Sequence, residues 1–382
     1  MPGMKDRCAI VGIGETEFST NSGRTELSLA AEASLKAIRD AGLSVKDIDG
    51  VCKYQQDGTP PDILAYALGI PELRFYAEIT GGGSASCGSV AAGVAAITSG
   101  QARNVLCFRG MNGRSGRRFG QGGSAIAHTN IGQFEHPYGI ISPGQRFSLM
   151  AQRHMHEYGT TSAQFGRIAV AMRRNAQRNP RALMRDPLTL EQHQASRIIT
   201  SPFKLFDCCL ETDGGCAVVV SSAEQARTLK QRPAYISGVA MAWGHQAHSA
   251  YDSVEDFCSV GAKVIAKSVF EMADCKPSDI KVAEIYDAFT YTALVQLEDY
   301  GFCKKGEGGP FVESGAIDYP TGKLPLNTHG GLLSEGYIHA MNTVIEGVRQ
   351  VRGASTSQVK DVDLAFVCGY SAERCSAMIL RR

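Results

Sequence analysis

The chain has one tryptophan, and aromatic residues make up only 8% of it. It also lacks a charge bias: 39 Lys and Arg stand against 38 Asp and Glu, for a formal net charge of +1. That balance offers no electrostatic footprint for nucleic acid or an anionic membrane. No apolar run of about 18 residues occurs, so no transmembrane helix is expected. The opening MPGMKDRCAIVGIGETEF has no leader-like apolar core, and a cytoplasmic location is the expectation. Twelve cysteines are present without a C-x-x-C pair. They sit in apolar runs such as VLCF (Cys107), FDCCL (Cys208, Cys209) and FVCG (Cys368). Such placement reads as reduced, buried thiols, not as a disulfide framework or a zinc site.

What is present is α/β grammar. Of 382 residues, 43% are hydrophobic, enough for a large core. CAIVGIG reads as a strand, and LSLAAEASLKAIRDAGL (27–43) has apolar residues at helical spacing with Gly42 as a stop. RFYAEIT (74–80) reads as a strand ending in GGGSASCGS, followed by the helical VAAGVAAITSG and the apolar strand RNVLCF. The same order returns later. AYISGVAMAWG (234–244) matches the opening strand, and Asp279-Ile280 stands where Asp47-Ile48 stood. The glycine turn at 81–83 is echoed by Gly330-Gly331. This predicts a two-fold internal duplication, with halves at 1–225 and 226–382. An insertion at about 109–165 breaks the pattern. It opens with RGMNGRSGRRFGQGG, read as loop; two helical segments then follow, the second running past the insertion to its end at Asn179-Pro180.

RHMHEYGTT, NAQRNP, SPFKLFDCCLETDGGCAVVVSSAEQA, EIYDAFT, LEDYGFCKKGEGGPF and NTHGGLLSEGY together resemble the thiolase superfamily. The likeness is greatest to its lipid-transfer, or sterol-carrier, branch. It covers nearly the whole chain in order. It implies the thiolase fold, a five-layered α/β/α/β/α subunit made of two βαβαβαββ halves, and a tight homodimer.

Thiolase chemistry needs a nucleophilic cysteine at a helix N-terminus, where the dipole lowers its pKa. The family supplies a His in Gly-His-Pro, an Asn in Asn-Glu-Ala-Phe, and a second Cys in Cys-x-Gly. Here the nucleophile's place falls on Gly83, with Cys87 one turn further into the helix. Gly-His-Pro has become Gly336-Tyr337-Ile338, and Asn-Glu-Ala-Phe has become Tyr286-Asp287-Ala288-Phe289. The second cysteine position is Cys368, followed by Gly369-Tyr370.

Two phenols in place of those side chains change the expected chemistry. A phenol donates hydrogen bonds to an enolate and exchanges protons as an acid or base. Tyr286 and Tyr337 without a nucleophile suit a retro-aldol cleavage of a β-hydroxyacyl thioester. One takes the β-hydroxyl proton; the other protonates the α-carbon. N–H groups near Gly82, Gly83 and Ser84, with the polar turn at Asn327 and His329, would hold the enolate. Cys368 is a further candidate for lining the site. The pattern resembles the bacterial steroid side-chain-cleaving aldolases of the same branch. That likeness implies cleavage of a 17-hydroxy steroid C20-carboxyl-CoA to a 17-keto steroid and propionyl-CoA. It also implies a partner with an OB-fold and zinc ribbon, in a heterotetramer, and no cofactor beyond the CoA thioester substrate.

Other residues carry blander readings. Tyr291 and Tyr300 are assigned to structure, and Asp287 to capping backbone. His154 and His156, two apart on a helix, face different ways and make a poor metal pair. Arg109, Arg114, Arg117 and Arg118 read as a solvated loop, with CoA phosphates or a partner as the alternative. The competing functions are an acyl-transferring thiolase that uses Cys87, and a non-catalytic lipid carrier or scaffold.

Overall fold

The computed structural model describes residues 4–116, 118–119, 132–244, 256–259, 261–371 and 374–382. Eleven strands are named here. They are β1 (Cys8–Glu15), β2 (Gly50–Tyr54), β3 (Phe75–Ile79), β4 (Asn104–Asn112), β5 (Ile198–Thr200), β6 (Phe203–Lys204), β7 (Asp213–Ser222), β8 (Ala234–Trp243), β9 (Val282–Glu284), β10 (Leu364–Ser371) and β11 (Arg374–Arg381). Nine of them form one hydrogen-bonded sheet in the order β3-β2-β4-β7-β1-β8-β11-β10-β9.

The pairing senses repeat about the β1–β8 junction. On one side β1 and β7 are antiparallel, as are β7 and β4, while β4 and β2 run parallel. On the other side β8 and β11 are antiparallel, as are β11 and β10, while β10 and β9 run parallel. A parallel bridge from Ala283 to Leu326 stands where β3 lies in the first half. The junction itself is two residue pairs, Ala9–Tyr235 and Ile10–Ala234.

Local chemistry repeats with the topology. Helix α1 (Glu26–Ala41) starts at Thr25, whose side chain accepts from the Ser28 N–H, and ends at Gly42 with φ 76°. Such a cap contributes about 1 kcal/mol. The turn after α1 closes through Asp47, which accepts from the Ser44 N–H at 2.8 Å. In the second half Asp279 accepts from the Lys276 N–H, also at 2.8 Å.

Helix α2 (Pro61–Leu68) lies against β2 at the periphery, whereas α3 (Ala85–Thr98) is central. α3 and the helix Met341–Arg352 touch strands of both halves. α1 covers β1, β4 and β7 on one outer face, and the helix Ala262–Ala273 covers β8 and β11 on the other. These are the five layers the thiolase resemblance implies. The buried core runs through both halves, with Cys107, Val218, Ile285, Val344 and Phe366 in one cluster. All twelve cysteines are free, and eight are buried.

β4 runs on through Asn112, so the first residues of the expected loop are strand. Arg109 is therefore not a loop residue. It is buried in β4 and ion-paired with Asp57 at 3.1 Å. Helices Pro143–Tyr158 and Ser162–Arg178 follow, the second ending at Asn179 as Asn-Pro predicts. His154 is buried and His156 exposed, as expected of positions two apart on a helix. Arg117 lies outside the described residues.

Candidate active site

Two glycine turns frame the site. In the first, Gly81 (φ 111°) and Gly82 (φ 55°) lead into α3. In the second, Gly330 (φ 111°) and Gly331 (φ 65°) open the short helix Gly331–Ser334. These backbone angles favour glycine, which has no Cβ to clash.

The segment after β9 serves both turns with consecutive residues. A Cβ built on Gly83 would overlap the Tyr286 ring and press on the Tyr370 carbonyl. A Cβ built on Gly331 would overlap the Asp287 carboxylate. Asp287 accepts from the N–H of Leu332 at 2.7 Å and of Leu333 at 3.4 Å. Burial pushes its carboxyl up to about 6, against the pull of the Leu332 N–H. It caps backbone, as expected.

Tyr286 and Tyr337 meet. Their hydroxyl oxygens are 2.5 Å apart, and the residues are 4% and 5% exposed. Burial raises both phenols above their ordinary range, so both are protonated near neutrality. In the pair one O–H donates to the other oxygen, which leaves one proton free. Tyr337 is held by its own N–H, which donates to Thr212 Oγ1 at 3.0 Å, and by an edge-on contact with Phe119. Tyr286 is held by its carbonyl, which accepts from Gln296 at 2.7 Å.

Both tyrosines line a cavity of about 910 Å³ with Gly82, Gly83, His339 and Tyr370. That volume is large for a ligand pocket. Phe147, Phe206, Phe289, Leu183 and Met184 add apolar wall, and Arg114, Arg118 and Arg197 are exposed lining residues. Arg114 and Arg118 both pair with Glu211. Among the described residues, the N–H groups of Gly82 and Gly83 have no acceptor.

Four residues proposed from sequence as site-lining do not line this cavity. The Ser84 hydroxyl donates back to the Gly81 carbonyl at 2.8 Å. Asn327 clamps the residue before Tyr286, accepting the Ile285 N–H at 2.7 Å and donating to its carbonyl at 3.0 Å. His329 is sealed below the turn, with Nδ1 3.0 Å from Glu284 and Nε2 3.6 Å from Glu335. Cys368 is buried, and its thiol donates to Gln296 Oε1 at 3.1 Å. It shares a strand face with Tyr370 but lies two residues, roughly 7 Å, deeper. These groups support the site from behind.

Cys87 is equally out of reach. It is fully buried in α3, its thiol 3.6 Å from the Val367 carbonyl, and burial pushes it up to about 12. A nucleophile needs the opposite shift and an open face. Tyr291 and Tyr300 are buried, the first donating to the Cys258 carbonyl at 3.2 Å and the second packing on Phe366. His339 was not foreseen. The sequence signal for it was only a polar residue inside the apolar run after Gly-Tyr. Among the described residues, no group of three or more His, Cys, Asp or Glu is arranged to hold a metal. No described helix is long and apolar enough to cross a membrane.

A glycine-framed helix start facing a second glycine turn, inside a duplicated five-layer subunit, defines a thiolase-like protein. The family described as "Thiolase C-terminal domain-like" matches residues 244–381. Over 390 residues the chain is 42% identical to a 17-hydroxy-3-oxo-4-pregnene-20-carboxyl-CoA lyase from Mycobacterium tuberculosis, covering 99% of this chain and 100% of that protein. It is 43% identical to a steroid side-chain-cleaving aldolase from Thermomonospora curvata, covering 97% of each. The solved structure of an "Ltp2-ChsH2(DUF35) aldolase" superimposes with a TM-score of 0.93 at 42% identity, covering 99% of this chain and 98% of that one. The chain belongs to the thiolase-like family, in the group that contains these steroid side-chain-cleaving aldolases.

Proposed function

We propose that this chain is an acyl-CoA carbon–carbon lyase that cleaves a 17-hydroxy steroid C20-carboxyl-CoA by a retro-aldol reaction. The observation that carries this reading is the Tyr286–Tyr337 hydroxyl pair at 2.5 Å, lying over the place where a thiolase nucleophile would stand. The two full-length relatives bear names of that activity.

The step balances without a metal or a Schiff base. The bond between the α- and β-carbons breaks, and its electrons form the enolate of the departing acyl-CoA. The β-carbon becomes a ketone. Its hydroxyl proton passes to one phenol oxygen while that phenol gives its own proton to the other. The second phenol delivers a proton to the α-carbon. One proton has moved, nothing has been oxidised, and neither tyrosine needs to ionise. That suits two phenols whose burial disfavours the phenolate. The N–H groups of Gly82 and Gly83 face the developing enolate from the start of α3. The products are a 17-keto steroid and propionyl-CoA.

The apolar wall takes the ring system, and the arginines at the mouth take the CoA phosphates. The partner is a DUF35-type protein with an OB-fold and zinc ribbon, joined to a homodimer of this chain in a heterotetramer, in the cytoplasm. The neighbour with TM-score 0.93 bears a name that joins two proteins, and that pairing motivates the assembly.

The test is turnover by the purified chain with such a partner on the steroid thioester. Release of propionyl-CoA and the 17-keto steroid is the expected result. Acyl transfer with label on Cys87 would contradict the reading in favour of a thiolase. Absence of turnover, with and without the partner, would leave a carrier or scaffold.

A further inference from the structure

His339 lies two residues past Tyr337 and also lines the cavity. Its ring packs edge-on against Tyr337, centroids 4.9 Å apart. Its Nδ1 accepts from Arg109 Nε at 3.1 Å. Arg109 is itself fixed, through its ion pair with Asp57 at 3.1 Å. The Asp57 carboxylate also accepts from the N–H of Gly110 at 2.7 Å and of Thr59 at 2.9 Å.

This chain of contacts decides where the imidazole proton sits. A guanidinium only donates and keeps its protons. A ring nitrogen that accepts from it is bare, so the neutral ring carries its proton on Nε2. A second proton would set N–H against N–H. Burial, and then the Arg109 charge, hold the His339 pKa well below its usual value, in keeping with that geometry. Among the described residues Nε2 has no hydrogen-bond partner, and it is not among the fully buried unpartnered atoms. It is a donor left open at the cavity wall.

The backbone agrees. His339 (φ 49°) and Ala340 (φ 64°) are consecutive non-glycine residues in the left-handed region. Such a backbone is strained for a residue with a Cβ, and outliers of this kind cluster at functional sites. Tyr54 holds the conformation by donating its O–H to the His339 carbonyl at 3.0 Å.

We infer that His339 is a catalytic hydrogen-bond donor for the thioester: its Nε2–H binds the carbonyl oxygen on which the enolate charge develops, and Arg109 and Asp57 are the positioning residues that fix its tautomer. The inference rests on the retro-aldol reading above. No proton leaves His339. A neutral imidazole holds its N–H tightly, so the enolate stays an enolate until its α-carbon is protonated. The Arg109 charge behind the ring strengthens the donor without touching the substrate.

Two measurements on the enzyme with its partner test this. The first compares His339→Leu and His339→Gln on the steroid thioester. His339→Leu should lower kcat by about 10²–10³-fold at unchanged KM, as for a lost oxyanion donor. His339→Gln, whose amide still donates, should recover much of the loss. Wild-type turnover in His339→Leu would overturn the inference and leave the retro-aldol reading standing. A wild-type enzyme that releases no propionyl-CoA would overturn both. The second reads the wild-type protein, so no variant need fold. Nitrogen-15 spectra of labelled histidine should show His339 with Nδ1 bare and Nε2 protonated from mildly acid to mildly alkaline pH. The opposite tautomer, or an imidazolium near neutrality, would overturn the assignment.

Discussion

The two glycine turns share a backbone and differ in what meets it. Gly81-Gly82 and Gly330-Gly331 have nearly the same φ values, and each begins a helical turn. Above the second turn sits Asp287, whose carboxylate takes the N–H groups of Leu332 and Leu333. Above the first sits Tyr286, which is uncharged, and among the described residues the Gly82 and Gly83 N–H groups beside the cavity have no acceptor. A helix start is an anion site by its nature. The duplicated frame therefore carries two such sites, one filled by the protein's own carboxylate and one beside the cavity, where the proposed reaction would place its transient enolate.

Changes on the two sides should have different consequences. The largest effect is expected at Gly83. Gly83→Cys restores the thiolase residue in name, but its Cβ meets the Tyr286 ring. It should displace Tyr286 and lower retro-aldol kcat by at least about 10²-fold, the scale for a catalytic group moved about 1 Å. No acyl-enzyme should form, which mass spectrometry of the variant after incubation with thioester would check. Across the frame, Asp287→Ala should cost stability, because it leaves buried N–H groups without an acceptor. The expected loss is about 1–3 kcal/mol, read from denaturant midpoints.

A smaller, pH-dependent effect belongs to the floor of the second turn. Burial alone would push His329 down, but the facing carboxylates of Glu335 and Glu284 together carry it up to about 10 from 6.5. The native state therefore keeps a proton that the unfolded chain has released. This stabilisation is whole below pH 6.5 and is lost as pH rises through about 10. Denaturant midpoints should fall over that range, and His329→Gln should flatten the fall. The smallest effect is expected at Cys87. Cys87→Ser should leave turnover unchanged, because the residue is buried away from the cavity, and should cost about 1 kcal/mol, since a hydroxyl is too short to reach the Val367 carbonyl but can turn to a carbonyl of its own helix.

Much of the frame was legible because it rests on local signals. Asp47 and Asp279 close matching turns, and paired glycines before a helix are visible without coordinates. Tyr286 and Tyr337 were legible through their place in family motifs, although nothing in the sequence put their hydroxyls in contact. Depth was not legible. Asn327, His329 and Cys368 are polar or reactive residues near the right turns, yet each faces a buried partner. Arg109 looked like loop because Gly and Arg follow it, whereas the β4–β7 ladder carries it into the core. His339 was missed because its approach to the cavity depends on two left-handed residues that no local pattern announces.

The central claim is that the two phenols work as one proton path. A double-mutant cycle in retro-aldol kcat tests it most directly, with Tyr286→Phe, Tyr337→Phe and the pair. Each single change should lower kcat by about 10²–10⁴-fold, and the double variant should be scarcely worse than either, as for residues that act as a unit. Single variants with wild-type rates, or losses that multiply in the double variant, would contradict it.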